Sequence, residues 1–252
     1  MKKTIANWTI IIVVLALTAA SVLAAFQNVP TPPNQEFSIL NVSRRPTAGV
    51  RSIQAEAGNV SELNISSTVV TRGWQGYYGN ISGTITLDDA LNNTMYSWDL
   101  ADPEGEIYAT RNNSVNWTDP NVHCTNITEI QTEETRLNFN NLGQDMDGIN
   151  ETFSLTTHPA FSVGNNTFTA SECNFTVSTY VNDAVDTNRN FNETLLWSTS
   201  DNGMIYMAFI HQGGSDGFKT GTDNYDFQML VGEDGHDGDT SPVDYYFWVE
   251  IE

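Results

Sequence analysis

The stretch Ile81-Ser82-Gly83-Thr84-Ile85-Thr86-Leu87 decides the fold class. Apolar and polar residues alternate along it, and four of the seven are β-branched Ile or Thr. Successive side chains of a strand point to opposite faces, so this spelling writes one apolar face and one polar face. Segments of the same kind recur on either side. Upstream are residues 50–57 and 63–70, the second mixing Leu63, Ile65, Val69 and Val70 with polar residues. Downstream, 94–100 and 106–110 flank Asp102-Pro103-Glu104-Gly105, a turn in which Pro presets φ and Gly accepts a positive one. Further candidates are 160–163, 167–169, 175–181, 194–199, 204–211, 225–231 and 245–251. Ile127, Ile130, Glu134 and Leu137 fall at helical spacing and predict one short helix, with Thr128 and Gln131 as its capping box. Many short antiparallel strands around one helix predict an all-β, β-sandwich-like fold over residues 50–252. Two packed β-subdomains would write the same string.

The first 24 residues read as an export signal: Lys2 and Lys3, an apolar run from Trp8 through Leu17, then small residues, with Val22 and Ala24 at −3 and −1 of a cut before Ala25. The competing reading is an uncleaved membrane-anchoring helix, since residues 8–26 are just long enough to span a bilayer. The positive-inside bias places the rest of the chain outside the cytoplasm on either reading. Residues 25–49, which hold four of the eight prolines, read as a linker.

The 252 residues include 31 acids against 10 bases, for a net charge of −21. Acids stand at an ordinary frequency; bases are scarce. That shortage speaks against a nucleic-acid partner, which needs clustered Lys and Arg. Solubility rests instead on 27 Asn, 18 Ser and 29 Thr, while 39% hydrophobic and 11% aromatic content supply a core. Excluding the signal, N-x-S/T sequons begin at Asn41, Asn59, Asn64, Asn80, Asn92, Asn112, Asn116, Asn126, Asn150, Asn165, Asn174 and Asn192. With Asn7 that makes 13, where 27 asparagines and a Ser/Thr frequency of 47 in 252 predict about five. The excess marks these asparagines as candidate N-glycosylation sites on an exported chain. The competing reading is that Asn/Thr-rich turns spell sequons incidentally. After Asn192 come 60 residues without a sequon, of which residues 201–252 carry 11 acids and one lysine. That quarter is expected to be either buried sheet or a glycan-free contact face, which at such a charge would need a cation or a basic partner.

Cys124 and Cys173 are the two cysteines, outside any C-x-x-C motif, and in an exported chain they predict one structural disulfide. Closing a loop of that length would stabilise by about 4 kcal/mol on the chain-entropy model. A metal site with His123 would lack ligands. Glu233, Asp234, Asp237 and Asp239 crowd a Gly-rich connection and are a candidate Ca²⁺ site, because Ca²⁺ takes six to eight oxygen ligands. Asp145, Asp147, Asn150 and Glu151 make a weaker one. The alternative for both is a solvated acidic loop. Gly213-Gly214-Ser215-Asp216-Gly217 matches the G-x-S-x-G of a hydrolase nucleophile elbow, but a poor helix follows it, so a hairpin loop is the better reading and no catalytic residue is assigned. The aromatic run Trp74-Gln75-Gly76-Tyr77-Tyr78, with Tyr96, Trp98, Tyr108 and Trp117 after it, either stacks on sugars or fills the space between sheets.

Residues 57–61 together with Trp74-Gln75-Gly76-Tyr77-Tyr78-Gly79-Asn80-Ile81-Ser82-Gly83, and the strand pair Tyr225–Val231 and Tyr245–Glu250, resemble a family of exported, sequon-rich archaeal surface proteins. The resemblance spans most of residues 52–252 and implies a shared fold and a surface location; it carries no catalytic residue. The expected function is that of a non-enzymatic secreted or cell-surface glycoprotein with a structural or adhesive role, a subunit of an envelope layer or filament. Its partners would be copies of itself or other envelope proteins. The alternatives are an extracellular calcium- or carbohydrate-binding module and, behind it, a secreted hydrolase.

Overall fold

The computed structural model describes residues 29–33, 39–46, 49, 51–100, 103–118, 120–139, 145–211, 215–221, 224–234 and 242–251. The signal or anchor helix proposed for residues 1–24 lies outside them. Among the described residues no helix is long and apolar enough to cross a membrane.

The chain is built mostly of short antiparallel strands. They are β1 (Trp74–Gly79), β2 (Gly83–Asp88), β3 (Thr94–Leu100), β4 (Gly105–Thr110), β5 (Val122–Cys124), β6 (Phe161–Val163), β7 (Asn166–Phe168), β8 (Thr176–Ser178), β9 (Asn192–Ser198), β10 (Gly203–Phe209), β11 (Ser215–Asp216), β12 (Asn224–Tyr225), β13 (Phe227–Gly232) and β14 (Tyr246–Ile251). Among the described residues two helices join them, α1 (Ile127–Arg136) and a single turn, α2 (Ile149–Thr152), the second unmarked by sequence periodicity. The central sheet runs β14-β4-β10-β9-β5, and β8 shares the outer edge of β9 with β5. β9 and β10 form its middle, with Ile205 opposite both Leu196 and Thr110.

Both faces of this sheet are covered. Leu195, Trp197, Met204, Tyr206, Ala208, Ile107 and Ala109 point to one side, against Met229 and Val231 of β13 and Ile130 and Leu137 of α1. The alternate residues Leu196, Ile205, Met207 and Tyr108 point to the other, against Trp117, Phe161, Val163, Phe168 and Cys173. Burial on both faces explains why β10 reads as a nearly continuous apolar run, and why Asn192, Glu193, Thr194 and Ser198 of β9 are buried together with Leu195, Leu196 and Trp197. The sandwich-like, all-β expectation therefore holds.

β1 is the strand that composition concealed. Its Trp-Gln-Gly-Tyr-Tyr-Gly run reads as an aromatic cluster, yet it pairs in full with β13, from Trp74 opposite Gly232 to Gly79 opposite Phe227. Both its ends are clamped. At the first, Glu233 N–H donates to the Gly73 carbonyl at 2.8 Å and Trp74 Nε1 donates to the Asp147 carbonyl at 2.6 Å. At the last, Asp226 N–H donates to the Gly79 carbonyl and Ile81 N–H to the Asp226 carboxylate, at 2.9 and 2.7 Å. Gly73 must be glycine here, since a Cβ would sit 2.4 Å from the Phe139 ring.

Residues 50–57 and 63–70 are a correction. Of these, 51–57 and 63–70 are described, and they run without joining any strand ladder. Part of the expected linker is more than a tether: Thr31 exchanges two backbone hydrogen bonds with Val249, at 2.9 and 2.8 Å, on the outer edge of β14.

Candidate functional site

The helix cap shows how the local sequence sets the surface. Asn126, not Thr128, is the N-cap of α1: its Oδ1 accepts from the Thr128 and Glu129 amides at 2.9 and 3.2 Å, and Glu129 returns a bond to the Asn126 amide at 2.8 Å. Asn126 also opens a sequon. A glycan attaches at Nδ2, so capping through Oδ1 leaves the attachment atom free. Among the twelve candidate sites Asn41, Asn59, Asn64, Asn80, Asn92, Asn116, Asn126, Asn165 and Asn174 are exposed. Asn112 and Asn150 are half-buried, and Asn192 is buried in β9 at 7% exposure, a place with no room for a sugar. The sequon-free quarter supplies the buried strands β10 and β13, so it is in large part interior.

Cys124 and Cys173 form the disulfide, tying β5 to the loop before β8. His158 seats it. The buried imidazole accepts the Cys173 amide proton on Nε2 at 2.9 Å, so its own proton sits on Nδ1, 2.6 Å from the Pro159 carbonyl. Two of the other histidines have structural partners: His123 Nε2 lies 2.9 Å from Glu129 Oε1, and the His211 ring packs on Phe191.

Of the acidic loop, Glu233 and Asp234 are described and half-buried, while Asp237 and Asp239 lie outside the described residues. Among the described residues no three His, Cys, Asp or Glu side chains are grouped as metal ligands. In the weaker cluster Asp147 is used by the fold: its carboxylate accepts the Thr71 hydroxyl and its carbonyl accepts Trp74. The Gly-Ser stretch resolves as expected for a hairpin: Ser215–Asp216 pairs with Asn224–Tyr225 and, among the described residues, no helix follows, with Gly213 and Gly214 outside them. A polar cleft of about 210 Å³ lies between Arg111, Asn112, Arg136, Asp201 and Gly203. Both guanidiniums there turn to buried Glu133, at 3.4 and 3.3 Å. Burial outweighs them and raises the Glu133 carboxyl above the usual range.

Most aromatics fill space between layers. Trp74 packs on Phe139 and Phe153, Tyr77 on Phe247, and Tyr108 and Trp248 on Trp117. Tyr96 and Trp98 do not. They meet edge to face, 4.8 Å between centroids, on the β2–β3 hairpin. In that hairpin Ile85 stands opposite Trp98 and Leu87 opposite Tyr96, so all four side chains share one face, each 48–58% exposed. The hairpin strands pair with each other and with no other described strand.

A second uncovered element precedes β1. Read at period two, residues 60–70 place Leu63, Ile65 and Val69 with Ser61 and Ser67 on one side, and Glu62, Asn64, Ser66 and Thr68 with Val60 and Val70 on the other. Leu63, Ile65 and Val69 are 56%, 83% and 86% exposed. Among the described residues the backbone of 60–70 makes no hydrogen bond. The longer stretch before β1 and the hairpin differ in charge, although the arm itself, residues 60–70, carries Glu62 alone. Residues 39–72 carry Arg44, Arg45, Arg51 and Arg72 against Glu56 and Glu62, whereas hairpin residues 83–100 carry Asp88, Asp89 and Asp99 and no base.

Among family models, curated proteins and solved structures, none matches this chain.

Proposed function

We propose that this chain is a non-enzymatic glycoprotein of the cell exterior that acts by assembling, as a subunit of an envelope layer or filament. One observation carries the reading: a chain that covers both faces of its central sheet leaves an amphipathic arm and an apolar hairpin face open. Contiguous exposed apolar surface marks an interaction site, and an isolated two-stranded hairpin is marginal in water without a partner. The disulfide and the excess of exposed sequons support a place outside the cytoplasm, as does the resemblance to archaeal surface proteins.

Electron microscopy and light scattering of the purified exported chain, across a concentration series, test the proposal. Ordered assemblies are expected; a strict monomer at the highest concentration would sink it. A second reading, a carbohydrate-binding module, is favoured by the exposed Tyr96–Trp98 pair, whose faces suit a sugar ring. A glycan array decides it, with binding lost in Trp98→Ala as the supporting result. A calcium-binding module remains the corresponding proposal for Glu233, Asp234, Asp237 and Asp239, read by calorimetry with Ca²⁺.

A further inference from the structure

We propose that the arm of one copy, residues 61–69, adds as a third strand to the β2–β3 hairpin of a second copy. The inference rests on the self-assembly reading above and names the two segments that make the joint.

The two elements are complementary in pattern. The arm is spelled as a half-buried strand, yet its backbone groups are unpaired and its apolar side faces water. The hairpin offers outer edges with no partner strand among the described residues, and an apolar face that ends at those edges. Adding a strand to an open edge satisfies one row of N–H and C=O groups on each side. With period two on both, Leu63, Ile65 and Val69 extend the surface of Ile85, Leu87, Tyr96 and Trp98.

The chain from 73 onward is strongly negative, so bodies of separate copies repel. Residues 61–69 carry one charge, Glu62, and no base, with Arg51 and Arg72 the nearest bases in sequence, so the joint rests on backbone pairing and apolar burial and not on charge.

Geometry selects a second copy over the arm's own hairpin. The arm enters β1 at Trp74 and the hairpin leaves it after Gly79. Six residues of strand separate these points by about 20 Å. Both ends are clamped by the hydrogen bonds at Gly73 and Gly79, so the arm and the hairpin extend from opposite ends of one rigid strand. A joint between unlike surfaces is heterologous, and repeated it propagates into an open chain. The sequons permit it: Asn64 lies on the polar side of the arm, and Asn80 and Asn92 sit before β2 and in the hairpin turn, off the apolar face.

Two variants of the full chain test the joint. L63D/I65D spoils the arm and keeps the Asn64 sequon; Y96T/W98T spoils the hairpin with residues that suit strands. Both change exposed positions outside the two cores, so each is expected to keep the thermal transition of the wild-type monomer. Each variant alone should fail to assemble. Mixed in equal amounts they retain one intact joint and should stop at a one-to-one heterodimer. A synthetic peptide of residues 59–71 should cap wild-type assemblies and bind Y96T/W98T at least about tenfold more weakly than wild type. Assembly that persists in either variant, a mixture that gives no heterodimer, or a lowered transition in L63D/I65D, which would mean that the arm pairs within its own chain, overturns the joint while self-assembly stands. A wild-type chain that never assembles overturns both.

Discussion

Asn126 shows one side chain serving two roles through different atoms. Its Oδ1 closes the first turn of α1 and its Nδ2 is the site a glycan would occupy. The roles separate by mutation. Thr128→Ala destroys the sequon and keeps the cap, so mass spectrometry should show one glycan fewer with an unchanged melting temperature. Asn126→Ala should lose the same glycan and also about 1 kcal/mol of stability. Asn192, buried in β9, should appear unmodified in the same spectra. Position 193 carries a different signal. Glu193 is wholly buried, with one oxygen accepting the Leu230 amide at 2.7 Å and the other without a partner, and burial holds its carboxyl well above the usual range. Glu193→Gln keeps the acceptor and removes the titrating group.

At the scale of elements, the disulfide links β5, on the edge of the central sheet, to the loop before β8 on the same edge. The separation of 49 residues is a long loop to close. Replacing both cysteines by serine should cost about 4 kcal/mol, less any strain released, and lower the melting temperature by about 10 °C in calorimetry. Which segments are strands was legible where alternation or an apolar run is strong, as in β2, β3, β9, β10 and β14. It was not legible for β1, because glycines and aromatics in one run obscure the period, and only pairing with β13 makes that run a strand. Residues 63–70 show the converse: the strand pattern is present and the partner strand is not among the described residues. The short helix α2 depends on tertiary anchors such as the Asn150 amide donating to Glu134 at 3.2 Å, which no local period announces.

For the whole molecule, the net charge of −21 is not spread evenly over the surface. Glu106, Glu133, Glu193 and Glu250 are buried in or beside the central sheet. Burial raises Glu133 and Glu193 above the ordinary value of 4.5, so the folded state holds protons that the unfolded chain has released. Their contribution is fully present below that value and is lost as pH rises through the raised folded values. The melting temperature should therefore fall as the medium moves from about pH 4.5 upward, and Glu193→Gln should flatten the fall and melt higher at neutral pH. A variant that melts lower than wild type at neutral pH would contradict this account. Exposed Asp89 and Glu172 act in the opposite sense: hydrogen bonds from Asn93 and Thr169 lower them, and their small contribution disappears at acid pH.

By itself the sequence determined the all-β class, the single disulfide, the helix at 127–136 and the sequon positions, because period, cysteine count and short motifs are local properties. The tertiary structure decided what locality cannot carry. It decided that the central sheet is covered on both faces, that Asn192 is interior, that Asp147 anchors Trp74, and that of all the aromatics Tyr96 and Trp98 stand on an open hairpin. Burial is a property of neighbours. An alternating strand is spelled the same way whether its apolar side meets its own core or waits for another chain.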